Sequence, residues 1–115
     1  MEDHAMTPTQ LHELNKLAGE FCGKEMEERN SRWFTIMTFP EGNVLSEWSP
    51  CTDHNQAAEV KATLLEKGCD MLIAVKKNYV MVMIFAPSEG MWEGQHESEL
   101  IALALAIEEL GKEGR

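Results

Sequence analysis

Six consecutive residues, Val80-Met81-Val82-Met83-Ile84-Phe85, are apolar at odd and even positions alike. A strand sends alternate side chains to opposite faces, so this segment asks for apolar cover on both. It is far too short to span a bilayer as a helix. The segment therefore predicts a sheet with helices above and below it.

The rest of the chain supplies those helices. Thr7-Pro8-Thr9-Gln10 reads as a capping box with proline at the first helical position, and Leu11, Leu14, Leu17, Ala18 and Phe21 follow at helical spacing. Gly19 and Gly23 weaken the end of that helix, and charged Lys24 to Ser31 reads as a solvated loop. Trp33 to Phe39 and Val44 to Trp48 form a hairpin around Pro40-Glu41-Gly42-Asn43. Ser49-Pro50 ends the second strand. Thr52 or Asp53 caps the next helix, with Asp53 and Gln56 at capping-box spacing; Ala57, Val60, Leu64 and Leu65 make its stripe, and Lys67-Gly68 stops it. Met71 to Val75 and Tyr79 to Ala86 form a second hairpin turning near Asn78, a residue that tolerates positive φ. Pro87 to Gln95 reads as a loop, and a last helix runs from near Glu97 to Leu110 with Gly111 as its stop.

The expected fold is α+β: a three-layer helix–sheet–helix sandwich, in the order α-β-β-α-β-β-α, around a four-stranded, mainly antiparallel sheet. At 115 residues, without an internal repeat or a linker-like break, the chain 1–115 reads as one domain with an ordered core over about 8–110.

Twenty carboxylates against ten Lys and Arg give a formal net charge of −10, which argues against direct nucleic-acid binding, since phosphates need a basic face. Three cysteines, Cys22, Cys51 and Cys69, are an odd set without a C-x-x-C pair, and no signal peptide or membrane span is visible. A cytoplasmic location is expected.

Several residues invite chemistry. His12-Glu13 opens like the zinc signature H-E-x-x-H, but Lys16 occupies the second ligand's place, so His12 is read as a surface helix residue and no metal is expected. Cys51 stands at a helix start with His54 three residues on, a spacing that allows an activated thiol; the simpler reading is a small residue in a tight turn. Glu89, Glu93, Glu97 and Glu99 surround Trp92 and His96, and could serve acid–base work or simply favour a helix start through its dipole. Trp92, flanked by glycines, either folds onto the core or presents itself as an anchor. Met71, Met81 and Met83 read as core filling, and the acidic runs Glu25 to Glu28 and Glu108-Glu109 as solvated faces.

Trp48-Ser49-Pro50-Cys51-Thr52-Asp53-His54-Asn55-Gln56-Ala57-Ala58-Glu59-Val60, with Leu64-Leu65, Gly68 and the alanine-rich Ala102 to Ile107, resembles the small phage-encoded proteins of the phage ABA-sandwich domain family. The opening helix, Leu11 to Phe21, fits as well, so the likeness extends over most of Pro8 to Leu110. Cys51 stands where a serine-like residue is expected. The resemblance implies a helix–sheet–helix sandwich and a phage or prophage origin, with no settled activity and no agreed catalytic residues.

Three functions follow as expectations. The first is a non-catalytic binding protein that engages a host defence or nucleic-acid protein. The second is a small-ligand or nucleotide-signal sequestering protein, with Trp48 and Trp92 stacking on a base and the helix start at Thr52, Asp53 and Asn55 holding phosphate. The third is a small enzyme using Cys51 or the Glu89 to Glu99 loop. A fourth, blander possibility is an oligomeric accessory protein with no ligand, which apolar residues left over after core packing would favour; no cofactor is expected, and a homo-oligomer is compatible with the sequence.

Overall fold

A computed structural model describes residues 6–86 and 90–113. Helix α1 (Pro8–Phe21) starts at the expected capping box: the Thr7 hydroxyl accepts from the Gln10 N–H, and the Gln10 side chain accepts from the Thr7 N–H at 2.9 Å. Gly23 takes the left-handed φ of 70° that turns the chain out of the helix. Instead of a solvated loop, strand β1 (Met26–Arg29) follows, and pairs with β2 (Arg32–Phe39) across Asn30 and Ser31 at φ of 50° and 60°. Two residues at positive φ make the tight hairpin whose twist suits antiparallel strands. Strand β3 (Gly42–Trp48) pairs with β2, with Phe39 facing Gly42, so the connection is the two residues Pro40-Glu41 and not four.

Asp53 caps α2 (His54–Glu66) by accepting from the Asn55 and Gln56 N–H groups. The Gln56 amide ties the helix to the end of β3: its oxygen accepts from the Ser49 N–H and its nitrogen donates to the Glu47 carbonyl, each at 2.6 Å. Asp53→Ala is expected to cost about 1 kcal/mol by removing the cap, read as a small drop in melting temperature. Lys67-Gly68 ends α2 as expected, with Gly68 at φ 82°.

Strands β4 (Asp70–Val75), β5 (Val80–Ala86) and β6 (Gly90–His96) then form a second antiparallel meander, and Ser98 leads into α3 (Glu99–Glu113). Of the expected loop, Gly90 to Gln95 is strand; Pro87 to Glu89 lie outside the described residues. The last helix also starts later and runs past Gly111. The order is α-β-β-β-α-β-β-β-α, in which the α-β-β-β succession occurs twice, and two three-stranded sheets, β1-β2-β3 and β4-β5-β6, replace the expected single four-stranded one. Asn78 does not use the positive φ foreseen for it; in that turn the Lys76 N–H bonds the Tyr79 carbonyl at 2.8 Å.

One buried cluster gathers Ala18 of α1, Trp48, Ala57, Val60 and Leu64 of α2, Val82, Ile84 and Trp92 of the second sheet, and Ala102, Leu103, Ala106 and Ile107 of α3. Two glycines set how closely the helices approach the sheets. A Cβ on Gly19 would strike the Met26 thioether and stand 2.9 Å from the Trp48 indole nitrogen, so α1 lies directly on the first sheet. A Cβ on Gly94 would strike the Ala102 carbonyl oxygen and stand 2.6 Å from the Ala106 nitrogen, so the α3 backbone rests on β6 itself.

The second sheet corrects the inference drawn from its middle strand. Val82, Ile84, Ala86, Trp92 and Gly94 point inward and are buried beneath α3, with Met71 and Ile73 packed beside them. The cross-strand register places Leu72, Met83 and Glu93 in one row of the opposite face, Phe85 between Asp70 and Met91 in the next, and Met81 between Ala74 and Gln95 in a third. On that face Leu72, Phe85 and Met91 are exposed, so none of the helices among the described residues covers it. Core filling holds for Met71 but not for Met81 and Met83. The helix–sheet–helix order is therefore not the one formed: an apolar strand face is left open.

Candidate functional site

The residues singled out from the sequence separate into three places. Trp48 and Thr52 line a cleft of about 230 Å³ between α1, the β2–β3 end and the turn into α2. Asp53 and Asn55 lie beyond it, occupied with the cap and exposed to solvent respectively. Trp92 is elsewhere, buried beneath α3 at 8% exposure, so the reading of Trp92 as a presented anchor gives way to the core reading. Its neighbour Gly94 explains this: with α3 pressed against the strand, an indole on the same face has nowhere to go but inward.

Trp48 is equally unavailable for stacking on a base. It is 2% exposed, its indole N–H donates to the Asn15 carbonyl at 2.9 Å, and the Lys24 ammonium stands 5.5 Å from the ring centre. Lys24 in turn pairs with Glu59. The Asn15 side-chain oxygen accepts from the Cys51 N–H at 3.0 Å, so Asn15 fixes Trp48 and Cys51 to α1 together. The cleft's rim is likewise satisfied internally: the Ser49 and Thr52 hydroxyls bond each other at 2.7 Å, and Arg32 faces Glu47. Its volume falls short of the ~300 Å³ at which ligand pockets begin.

His12 is better placed than its sequence context implied. Its ring stacks on Trp33 at 4.9 Å between centres, its Nε2 meets Glu28 at 2.5 Å, and its carbonyl accepts from the Trp33 indole N–H. Lys16, the residue in the second zinc-ligand place, lies over the same Trp33 ring at 5.8 Å. These contacts join α1 to β1 and β2, with one carboxylate beside the imidazole. Among the described residues no group of three or more His, Cys, Asp or Glu is gathered to hold a metal ion.

Cys51 is buried at 3% exposure among Leu14 and Ala104, and burial pushes its thiol up to about 12. At neutral pH it is a protonated core residue, the opposite of an activated nucleophile. Burial raises Cys22 too, against the lowering effect of the Thr63 hydrogen bond. The sign of the consequence is fixed. Between pH 9 and 12 the unfolded thiol ionises while the folded one keeps its proton, so stability attached to Cys51 is full below pH 9 and lost as pH rises through that window. Cys51→Ala is expected to flatten the alkaline fall in melting temperature. In the wild type, alkylation of Cys51 should proceed only at the rate of unfolding.

The carboxylates grouped around Trp92 are dispersed by the strand. Glu93 points to the open face, where the Gln95 amide donates to it at 2.5 Å, and Glu99 pairs with Lys61 of α2 at 3.0 Å. Glu89 lies outside the described residues.

Two wider clefts of about 530 Å³ lie at the β4–β5 turn and between Lys24, Ile36 and Glu59, and Met37, Phe39 and Val44 are exposed on the first sheet. The open face of the second sheet is the broader apolar surface. Its side chains are Leu72 and Ala74 on β4, Met81, Met83 and Phe85 on β5, and Met91 and Gln95 on β6, with Asp70 and Glu93 as its two charges. Leu72 is 50% exposed, Met91 52% and Phe85 37%. The apolar run at 80–85 was the signal for this face, but it fixes only that both faces are apolar and not what covers the second.

No protein-family model, curated protein or solved structure matches the chain. Among the described residues no helix is long and apolar enough to cross a membrane.

Proposed function

We propose that this chain is a non-catalytic binding protein that engages a partner protein through the open face of its second sheet. The observation that carries the reading is the contiguous apolar surface of Leu72, Met83, Phe85 and Met91 on a sheet whose other face buries Val82, Ile84 and Trp92 beneath α3. Large side chains left in water on a well-formed sheet mark interaction sites more often than they mark accidents of packing. Methionines suit the purpose, because their flexible thioethers adapt to a partner's shape. The protonated, buried state of Cys51 and the closed rim of its cleft speak against catalysis at Cys51 and ligand capture at Thr52. In the phage setting that the sequence resemblance implies, the partner is a host protein and the site of action is the host cytoplasm.

Native mass spectrometry of the tagged protein, recovered gently from the cells in which it acts, tests this. The reading expects a gain of tens of kilodaltons, roughly the size of ordinary domains, over the 13.0 kDa chain. Recovery of the bare monomer counts against a stable partner, and a gain of a few hundred daltons, about a pocket-sized ligand, points to sequestration instead.

A further inference from the structure

The geometry of the open face points to the kind of partner it takes: we infer that it docks a basic amphipathic helix. This rests on the proposed function and specifies its partner.

The width of the face comes first. β4 and β6 flank β5, and strands stand about 4.8 Å apart, so the edge strands are about 10 Å from each other. One helix has about that diameter. The opposite face of the same sheet already takes one helix, α3. Along β5, seven residues span about 20 Å, which matches about 14 residues of helix.

Charge then selects the helix. Met81, Met83 and Phe85 form an apolar ridge along the middle strand. Asp70 stands on one flank of that ridge and Glu93 on the other, and no strand residue of this face is basic. A helix whose apolar stripe rests on the ridge brings its two flanks over these carboxylates. Lys or Arg there can lay their stems on Leu72 and Met91 and their charges on Asp70 and Glu93. The net charge of −10 draws such a segment in from a distance. The same charges oppose a second copy: in a face-to-face pair related by a two-fold axis along β5, Asp70 of one chain stands on the same flank as Glu93 of the other.

The test uses three dye-labelled synthetic peptides of about 14 residues, the length set by the strand: an amphipathic Leu/Lys helix, a Leu/Glu helix with the same apolar stripe, and a scrambled Leu/Lys sequence without a stripe. Anisotropy titrations against the intact protein are expected to show saturable one-to-one binding for the first alone. Asp70→Asn with Glu93→Gln, both at exposed or half-exposed positions, should weaken it by about tenfold or more, and Phe85→Asp should abolish it. Equal binding of the scrambled peptide, or indifference to the Asp70/Glu93 substitutions, overturns the inference by reducing it to general attraction to an acidic protein. A dimer in sedimentation that Phe85→Asp dissociates also overturns it, with a second copy as the occupant. If a protein partner is recovered through this face while the Leu/Lys helix fails to bind, the binding role stands and only the partner's chemistry is wrong. Circular dichroism of each variant confirms that the fold persists.

Discussion

Gly94→Ala is expected to lower the melting temperature by about 10 °C or more, for a cost of about 3 kcal/mol. The added Cβ itself causes the loss. It would strike the Ala102 carbonyl and stand 2.6 Å from the Ala106 nitrogen and 2.9 Å from the Leu105 Cβ. Two of those atoms are helix backbone, which no rotamer change can clear. The helix must lift off the strand, and Val82, Ile84 and Trp92 beneath it lose their seal. Gly94 does not have a positive φ, so the cost is one of space and not of backbone strain. Gly19→Ala makes a useful contrast. Its Cβ would strike the flexible Met26 side chain and approach the Trp48 ring nitrogen, but meet no backbone that closely, so a smaller loss is expected. A Gly94→Ala melting temperature equal to the wild type would show that α3 does not lie on β6 as described.

The double substitution Leu72→Asp with Phe85→Asp should do the reverse: cost a modest part of the folding stability and remove binding. Leu72 is 50% and Phe85 37% exposed, so the packing lost is at the sheet surface, about 1–2 kcal/mol, and the core beneath α3 is untouched. In a docked complex each would lose an apolar anchor and place a carboxylate in a closed interface. Anchors of this kind are worth about 2 kcal/mol or more each, so affinity for the protein partner should fall by about 100-fold or more. Paired thermal melts and titrations check it. A variant that stays folded and binds normally moves the interface elsewhere on the molecule.

Much of the fold was legible because local chemistry and tertiary need agree at those positions. Thr7 with Gln10, Asp53 and Gly68 are capping signals that act within a single turn, and the structure uses each of them. The two missing strands failed for different reasons. Met26-Glu27-Glu28-Arg29 is an edge strand whose charges are paired, Glu28 with His12 of α1 and Arg29 with Glu27 along the strand, so its composition matches a loop. The clue was Asn30 followed by a small polar residue, a two-residue turn signal. In β6 the glycines looked like loop punctuation. Gly94 is there because a helix needs its surface, and that need arises only once α3 is in place.

The candidate site was less legible. Trp48 and Trp92 drew attention as aromatic anchors, yet both are used for packing. Val80 to Phe85 held the information about the open face, but the alternation rule counts apolar positions without saying whether a helix or another molecule meets them. The three helices are spent elsewhere: α3 on β5 and β6, α1 on the first sheet and on α3, and α2 in the core with Ala57, Val60 and Leu64. With no fourth helix among the described residues, the second apolar face of β5 stays open.

Methionine oxidation by dilute peroxide, read by mass spectrometry on the free protein and on the protein recovered with its partner, tests the central claim most directly. Met37 and Met91 are each 52% exposed and lie on different sheets, so each controls for the other. The account predicts that both react readily in the free protein, and that in the complex Met91 and Met83 become protected while Met37 keeps its rate. Protection of Met37 with Met91 still reactive would place the partner on the first sheet and contradict the account.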